Sequence, residues 1–224
     1  RTLDALKMSR QALKKYAGLV PNSIFLSELE LLEGQKKRAE AVLLSGWKAN
    51  PHPDIAKKFA EIENNESVDD RVERFKKILN VKKTDTETKT LKAELNILSE
   101  NFPEARRAIS DLIETDEANA KVYTLMAAIE KGVGSSDAVV KAWLTKAVTA
   151  KRSKTWICSN CDIQSEWEPV CKKCGEFSSF EWREESYQNP LRNDQSDILP
   201  LIIGEKADSP DIQVDKVEID VNKV

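Results

Sequence analysis

Asn101-Phe102-Pro103-Glu104-Ala105-Arg106-Arg107-Ala108-Ile109-Ser110-Asp111-Leu112-Ile113 carries the reading that decides the fold. Asn101 and Pro103 mark a turn, and Pro103 sits where a first helical turn tolerates a missing backbone donor. Ala105, Ile109 and Leu112 follow at the three- and four-residue spacing of one helix face. The same periodicity covers residues 1 to about 150, broken by turn signals at Pro21-Asn22-Ser23, Asn50-Pro51-His52-Pro53, Asn64-Asn65 and Gly132 to Ser136. Helices are expected near 2–17, 23–34, 36–48, 53–63, 68–79, 85–99, 103–114, 117–131 and 136–149. Ser67-Val68-Asp69-Asp70 looks like a helix start, with Ser67 able to cap free amides and acids placed in the first turn.

The segment also repeats itself. Ala39, Val72, Ala105 and Ala138 fall at a step of 33, while Phe25, Phe59, Ala93 and Ala127 fall at a step of 34. Phe75, Ile109 and Trp143 form a third column. Two interlocking columns of nearly equal period are what paired helices produce, one column from each helix of a hairpin. A lone hairpin cannot bury its own face, so about four are expected to share a core over residues 1–150, giving an all-α fold. Asn101 to Ala105, the apolar pair Leu112 and Ile113, and Asn50-Pro51 resemble the tetratricopeptide repeat. That resemblance implies a helical-hairpin solenoid whose groove holds proteins or peptides. An irregular helical domain is the alternative.

From Lys154 the character changes. Cys158-Ser159-Asn160-Cys161 and Cys171-Lys172-Lys173-Cys174-Gly175 contain all four cysteines of the chain, within 17 consecutive positions. Each Cys-x-x-Cys closes a tight turn that aims both sulfurs to one side. Two such turns facing each other supply the tetrahedral thiolate shell that zinc prefers. Cys158, Cys161, Cys171 and Cys174 are therefore the expected metal ligands, in a knuckle over residues 154–183 of zinc-ribbon or rubredoxin-like type. Structural Zn2+ is the expected ion, with Fe as an alternative that the ligands alone allow, and two local disulfides are the bland reading. Gly175 suits a turn with positive φ. Lys172 and Lys173 are placed to soften the negative centre. Trp156, Trp167, Phe177, Phe180 and Trp182 are expected to shield the metal and dock the module onto the last helices. All four positions are filled by Cys, which leaves none for a catalytic water.

Residues 184–224 hold ten Asp/Glu against four Lys/Arg, so an acidic, largely disordered tail is expected there, with one apolar island at Ile198 to Ile203. The rest of the chain is near +3, too mild a charge for a dedicated nucleic-acid binder. No run approaches the roughly 18 apolar residues of a membrane span. The opening Arg1 and its mid-helix pattern lead us to expect a fragment, with a membrane anchor as one missing element. His52, the only His, lies between two prolines and is expected to face solvent. The clusters Lys36-Lys37-Arg38, Lys57-Lys58, Lys76-Lys77 and Lys82-Lys83 are expected on a solvated convex face. No hydrolase constellation or phosphate loop can be assembled, so no enzyme is expected.

Helical repeats followed by Trp156-x-Cys158-x-x-Cys161, a Trp-containing spacer, Cys171-x-x-Cys174-Gly175 and a Phe177-to-Trp182 ending resemble the HemY-like proteins of bacteria. That resemblance implies an inner-membrane tetratricopeptide protein associated with haem biosynthesis, anchored by an N-terminal region and facing the cytoplasm. The same module order is similar to LapB-type adaptors, which join repeats to a rubredoxin-like knuckle and control lipopolysaccharide synthesis through a protease. The knuckle alone resembles the zinc fingers of Ran-binding proteins, without the Asn expected after the first pair. The function these resemblances imply is a non-catalytic scaffold or adaptor, with an iron redox module or an RNA-binding finger as alternatives.

Overall fold

The computed structural model describes residues 2–184. The acidic tail and its apolar island at 198–203 lie outside the described residues. Nine helices are present among the described residues: α1 (Thr2–Lys15), α2 (Val20–Leu32), α3 (Lys36–Ala49), α4 (Pro53–Glu61), α5 (Val68–Leu79), α6 (Thr86–Leu98), α7 (Phe102–Glu114), α8 (Ala120–Gly132) and α9 (Asp137–Thr149). They are followed by β1 (Thr155–Cys158) and β2 (Phe180–Arg183), paired antiparallel.

Local chemistry sets the helix starts. Ser67 accepts the Asp70 amide at 3.2 Å, Asp85 accepts that of Glu87 at 3.0 Å, and Asn119 accepts that of Val122 at 3.1 Å. Such caps satisfy donors that the helix itself leaves open. Proline occupies the first turn of α2, α4 and α7.

Adjacent helices pack as the hairpins α2–α3, α6–α7 and α8–α9, and α2, α4, α6 and α8 stack on one another as a row. A first core joins Leu43, Trp47, Ile55, Phe59, Phe75 and Ile78, and a second joins Ala105, Ile109, Leu112, Val122 and Ile129. The α2–α3 crossing is close because Gly46 leaves no side chain against Ser23: a Cβ there would meet Ser23 Oγ at 2.8 Å.

The repeat columns hold in the middle of the array and slip at its ends. Ala39 and Ala105 are fully buried, each four residues after its N-cap. In α9 that register falls on buried Val140, while Ala138 is exposed. Phe25 is likewise 47% exposed, and the neighbouring Leu26 is buried in its place. Counting at a fixed step ignores loop length, whereas burial follows position within each helix.

The basic clusters do lie toward solvent, yet several of their members are paired. Lys58 reaches Glu28 of α2 at 2.6 Å, Lys77 reaches Glu40 of α3 at 2.8 Å, and Lys36 reaches Glu63 at 2.8 Å. Exposed pairs of this kind contribute at most about 1 kcal/mol each, so their main effect is to neutralise the surface.

A buried acid recurs at both ends of the array. Glu30 of α2 is bound by Arg10 of α1 at 2.7 Å, and Glu130 of α8 is bound by Arg106 of α7 at 2.8 Å. The following turns also match, since Gln35 N–H bonds the Glu30 carbonyl and Ser135 N–H bonds that of Glu130. Their side chains differ: Ser135 Oγ donates to Glu130 Oε2 at 2.5 Å, whereas Glu30 Oε2 is buried without a protein partner. Gln35→Ser should supply the missing donor and a better helix cap, raising stability by about 1 kcal/mol. Urea unfolding of the two proteins checks this, and an unchanged midpoint would refute it.

Candidate metal centre

The four cysteine sulfurs lie within 4.8 Å of one another. Cys158 and Cys174 are 3.7 Å apart, as are Cys161 and Cys171. A tetrahedral ion at the usual metal–sulfur distance of about 2.3 Å places its ligands about 3.8 Å apart, so the spacing matches a four-thiolate shell. Disulfides are not the arrangement seen: all four cysteines are free.

The two halves of the knuckle repeat each other. Asp162 N–H bonds the Cys158 carbonyl at 2.9 Å, and Gly175 N–H bonds that of Cys171 at 2.8 Å. Both turning residues have positive φ, 54° at Asp162 and 75° at Gly175. Isolated bridges Ile157↔Gln164 and Val170↔Phe177 flank the two turns in the same way. Gly175 is where the sequence pointed, and Asp162 is its unanticipated counterpart, held by Arg183 at 2.8 Å.

Electrostatics agree with a cation site. Cys158 is lowered to about 6, first by a hydrogen bond with Ser179 and then by the amides of Asn160 and Cys161. Cys174 is lowered by the Asn160 side chain and the Glu176 amide. At Cys161 the Ile163 amide favours the thiolate, but burial and the three neighbouring sulfurs push it up to about 12. Some of these sulfurs are thus prepared for negative charge while another resists it. A bound cation would remove that conflict. Ser179, whose Oγ lies 3.2 Å from Cys158 Sγ, and Asn160, inside the first Cys-x-x-Cys, were both missed in the sequence, where no spacing rule marks a hydroxyl or side-chain amide that serves a sulfur.

The aromatic residues divide. Trp156, Ile163 and Trp167 pack against Cys158, Cys171 and Phe180, but Phe177 is 72% exposed. Lys172 pairs with Glu168, and Lys173 points toward the Cys161 carbonyl at 3.5 Å.

The docking site also differs from expectation: the knuckle's indoles meet the start of α4. Trp156 Nε1 donates to Asp54 Oδ2 at 2.8 Å, and its ring packs beside the core around Trp47 and Ile55. His52 is 1% exposed, which corrects the reading of a solvent-facing turn residue. Its ring lies 4.1 Å from that of Trp182 and 5.3 Å from that of Trp156. Nδ1 accepts the Asp54 amide at 3.1 Å, capping α4, so the neutral ring carries its proton on Nε2, which finds no conventional acceptor. Proline neighbours suggested a loop but gave no sign of indoles arriving from about a hundred residues away.

Burial holds His52 down to about 4, against a smaller raising effect of Asp54. Because the folded value lies below the unfolded one, the fold resists protonation of His52, so the associated stability is fully present above about pH 6.5 and is lost as pH falls from there toward 4. The full effect is on the order of 3 kcal/mol. His52→Asn keeps a capping acceptor and removes the titration, so the wild type should lose more stability than this variant between those pH values. Parallel pH profiles in denaturant unfolding would contradict the assignment.

Fold and site together define a protein of stacked helical hairpins carrying a four-cysteine cluster. Among characterised proteins it is similar to the "Probable magnetosome protein Mms48" of Magnetospirillum gryphiswaldense, with 24% identity over 179 residues covering 79% of this chain and 40% of that protein. The chain therefore spans less than half the length of that relative. No family model matches it, and no solved structure matches it. No helix among the described residues is long and apolar enough to cross a membrane.

Proposed function

We propose that the protein is a non-catalytic scaffold or adaptor that binds partner proteins along its row of stacked helices. In this reading Cys158, Cys161, Cys171 and Cys174 hold a structural Zn2+ that supplies the knuckle's folding energy. The carrying observation is the hairpin stack ending in a sulfur cluster whose spacing suits a closed four-thiolate shell. Stacked hairpins offer a long surface that varies residue by residue, the usual form of a peptide-binding groove.

The finer reading follows the resemblance of Trp156 to Trp182 to HemY-like proteins: a tetratricopeptide adaptor at the cytoplasmic side of a bacterial inner membrane, linked to haem biosynthesis. A LapB-type adaptor role is its alternative. The similarity to a probable magnetosome protein does not choose between them.

Metal analysis and partner capture test the proposal together. One equivalent of zinc per chain is expected, along with a stoichiometric partner that co-purifies and then binds again as a pure protein. A coloured iron centre that undergoes reversible reduction, or turnover of a small molecule by the isolated protein, would replace the adaptor reading.

A further inference from the structure

We propose that residues 151–183 form a brace whose docking depends on the metal, tying the start of α8 to the start of α4 across α6. The inference rests on the metal-loaded knuckle of the preceding section and adds what loading does to the helical array.

Two contacts define the brace. At one end, just after α9, the Lys151 carbonyl accepts the amide of Ala120, the first residue of α8, at 2.9 Å. At the other, Trp156 bonds Asp54 in the first turn of α4, with His52 against both Trp156 and Trp182. The helices joined in this way, α4 and α8, both pack on α6. Two interaxial steps of about 8–10 Å separate them, and five extended residues reach at most about 18 Å. Only five residues therefore link the contact at Ala120 to the contact at Asp54.

The far end of this strap is held by the sulfur cluster. Trp156 lies two residues before Cys158 on β1, and β2 pairs it with Trp182 across the sheet. So small a hairpin has little apolar burial of its own, and its order depends on the ion. When the ion leaves, both indoles lose the frame that aims them at α4, and the strap slackens at Lys151 as well. Loading thereby sets how far α4 and α8 can move apart on either side of α6. The strap also covers the first turn of α4, keeping His52 from solvent while the knuckle is formed.

The helices do not need the strap to persist, because the cores around Trp47 and Ile109 are built from α2 to α9. That separation makes the test specific. Amide exchange is followed by NMR in the full chain as purified, after chelation, and after zinc is returned. Chelation should speed exchange at Ala120 at least tenfold and release the Trp156 indole proton, while amides in the middle of α3 and α7 stay protected. Zinc should restore both. Asp54→Ala, with metal content unchanged, should loosen the Trp156 indole and Ala120 without chelator. If the chain holds metal and neither reporter responds to chelation, the brace is refuted and the adaptor reading stands. If Ala120 is unaffected in Asp54→Ala, the coupling between the two ends is refuted. A chain that takes up no metal overturns the proposed knuckle and the brace together.

Discussion

In Cys171→Ser, β1 and β2 are expected to lose their pairing and the protein its metal, while helices α1 to α9 keep theirs. Cys171 is buried and sits 3.7 Å from Cys161. Serine offers a harder, less acidic donor on a shorter bond, which suits a four-thiolate shell poorly. Binding free energy of about 10 kcal/mol or more is folding energy for modules of this size, so weakening the shell removes most of what orders residues 154–183. The array has cores of its own and should survive with its helical content intact. Metal content, the near-ultraviolet signal of the Trp residues and the NMR signals of the sheet report the loss. If the variant retained wild-type metal affinity and strand pairing, Cys171 would not be a ligand.

Trp47→Ala should be the most damaging single change within the array. Trp47 is fully buried in α3 and packs in the core with Leu43, Ile55, Phe59 and Phe75. Its Nε1 donates to Thr88 Oγ1 of α6 at 3.2 Å, so one side chain ties α3 to α6. Truncating a buried Trp costs about 3–5 kcal/mol, chiefly from lost burial and the cavity left behind. Losing the bond to buried Thr88 adds about 1 kcal/mol. For a chain of this length each kcal/mol lowers the melting temperature by about 2–4 °C, so a fall of about 10 °C or more is expected. Trp47→Phe separates the two parts, keeping most of the volume while losing the donor. A Trp47→Ala protein within about 1 kcal/mol of wild type would show that this core relaxes to fill the gap.

Much of this architecture is legible in the order of residues. Helix positions follow from apolar spacing and from local caps such as Ser67, because both act over three or four neighbours. The cysteine cluster is legible for the same reason: each Cys-x-x-Cys turn is a local device, and Gly175 at φ 75° is part of it. The repeat period was readable as well, but the burial of particular members was not. Val140 takes the place expected for Ala138 because the loop before α9 shifts the register, which a fixed step cannot register.

The sequence alone determined that the chain forms paired helices and that Cys158, Cys161, Cys171 and Cys174 share one site, since helix periodicity and Cys-x-x-Cys turns are short-range properties. Only the tertiary structure decided that the knuckle returns to α4, that His52 is enclosed by Trp156 and Trp182, and that Ser179 and Asn160 serve the sulfurs. Those contacts join residues far apart in the chain and depend on shape and on the path after α9. Nothing in the neighbourhood of His52 encodes the arrival of an indole from residue 156.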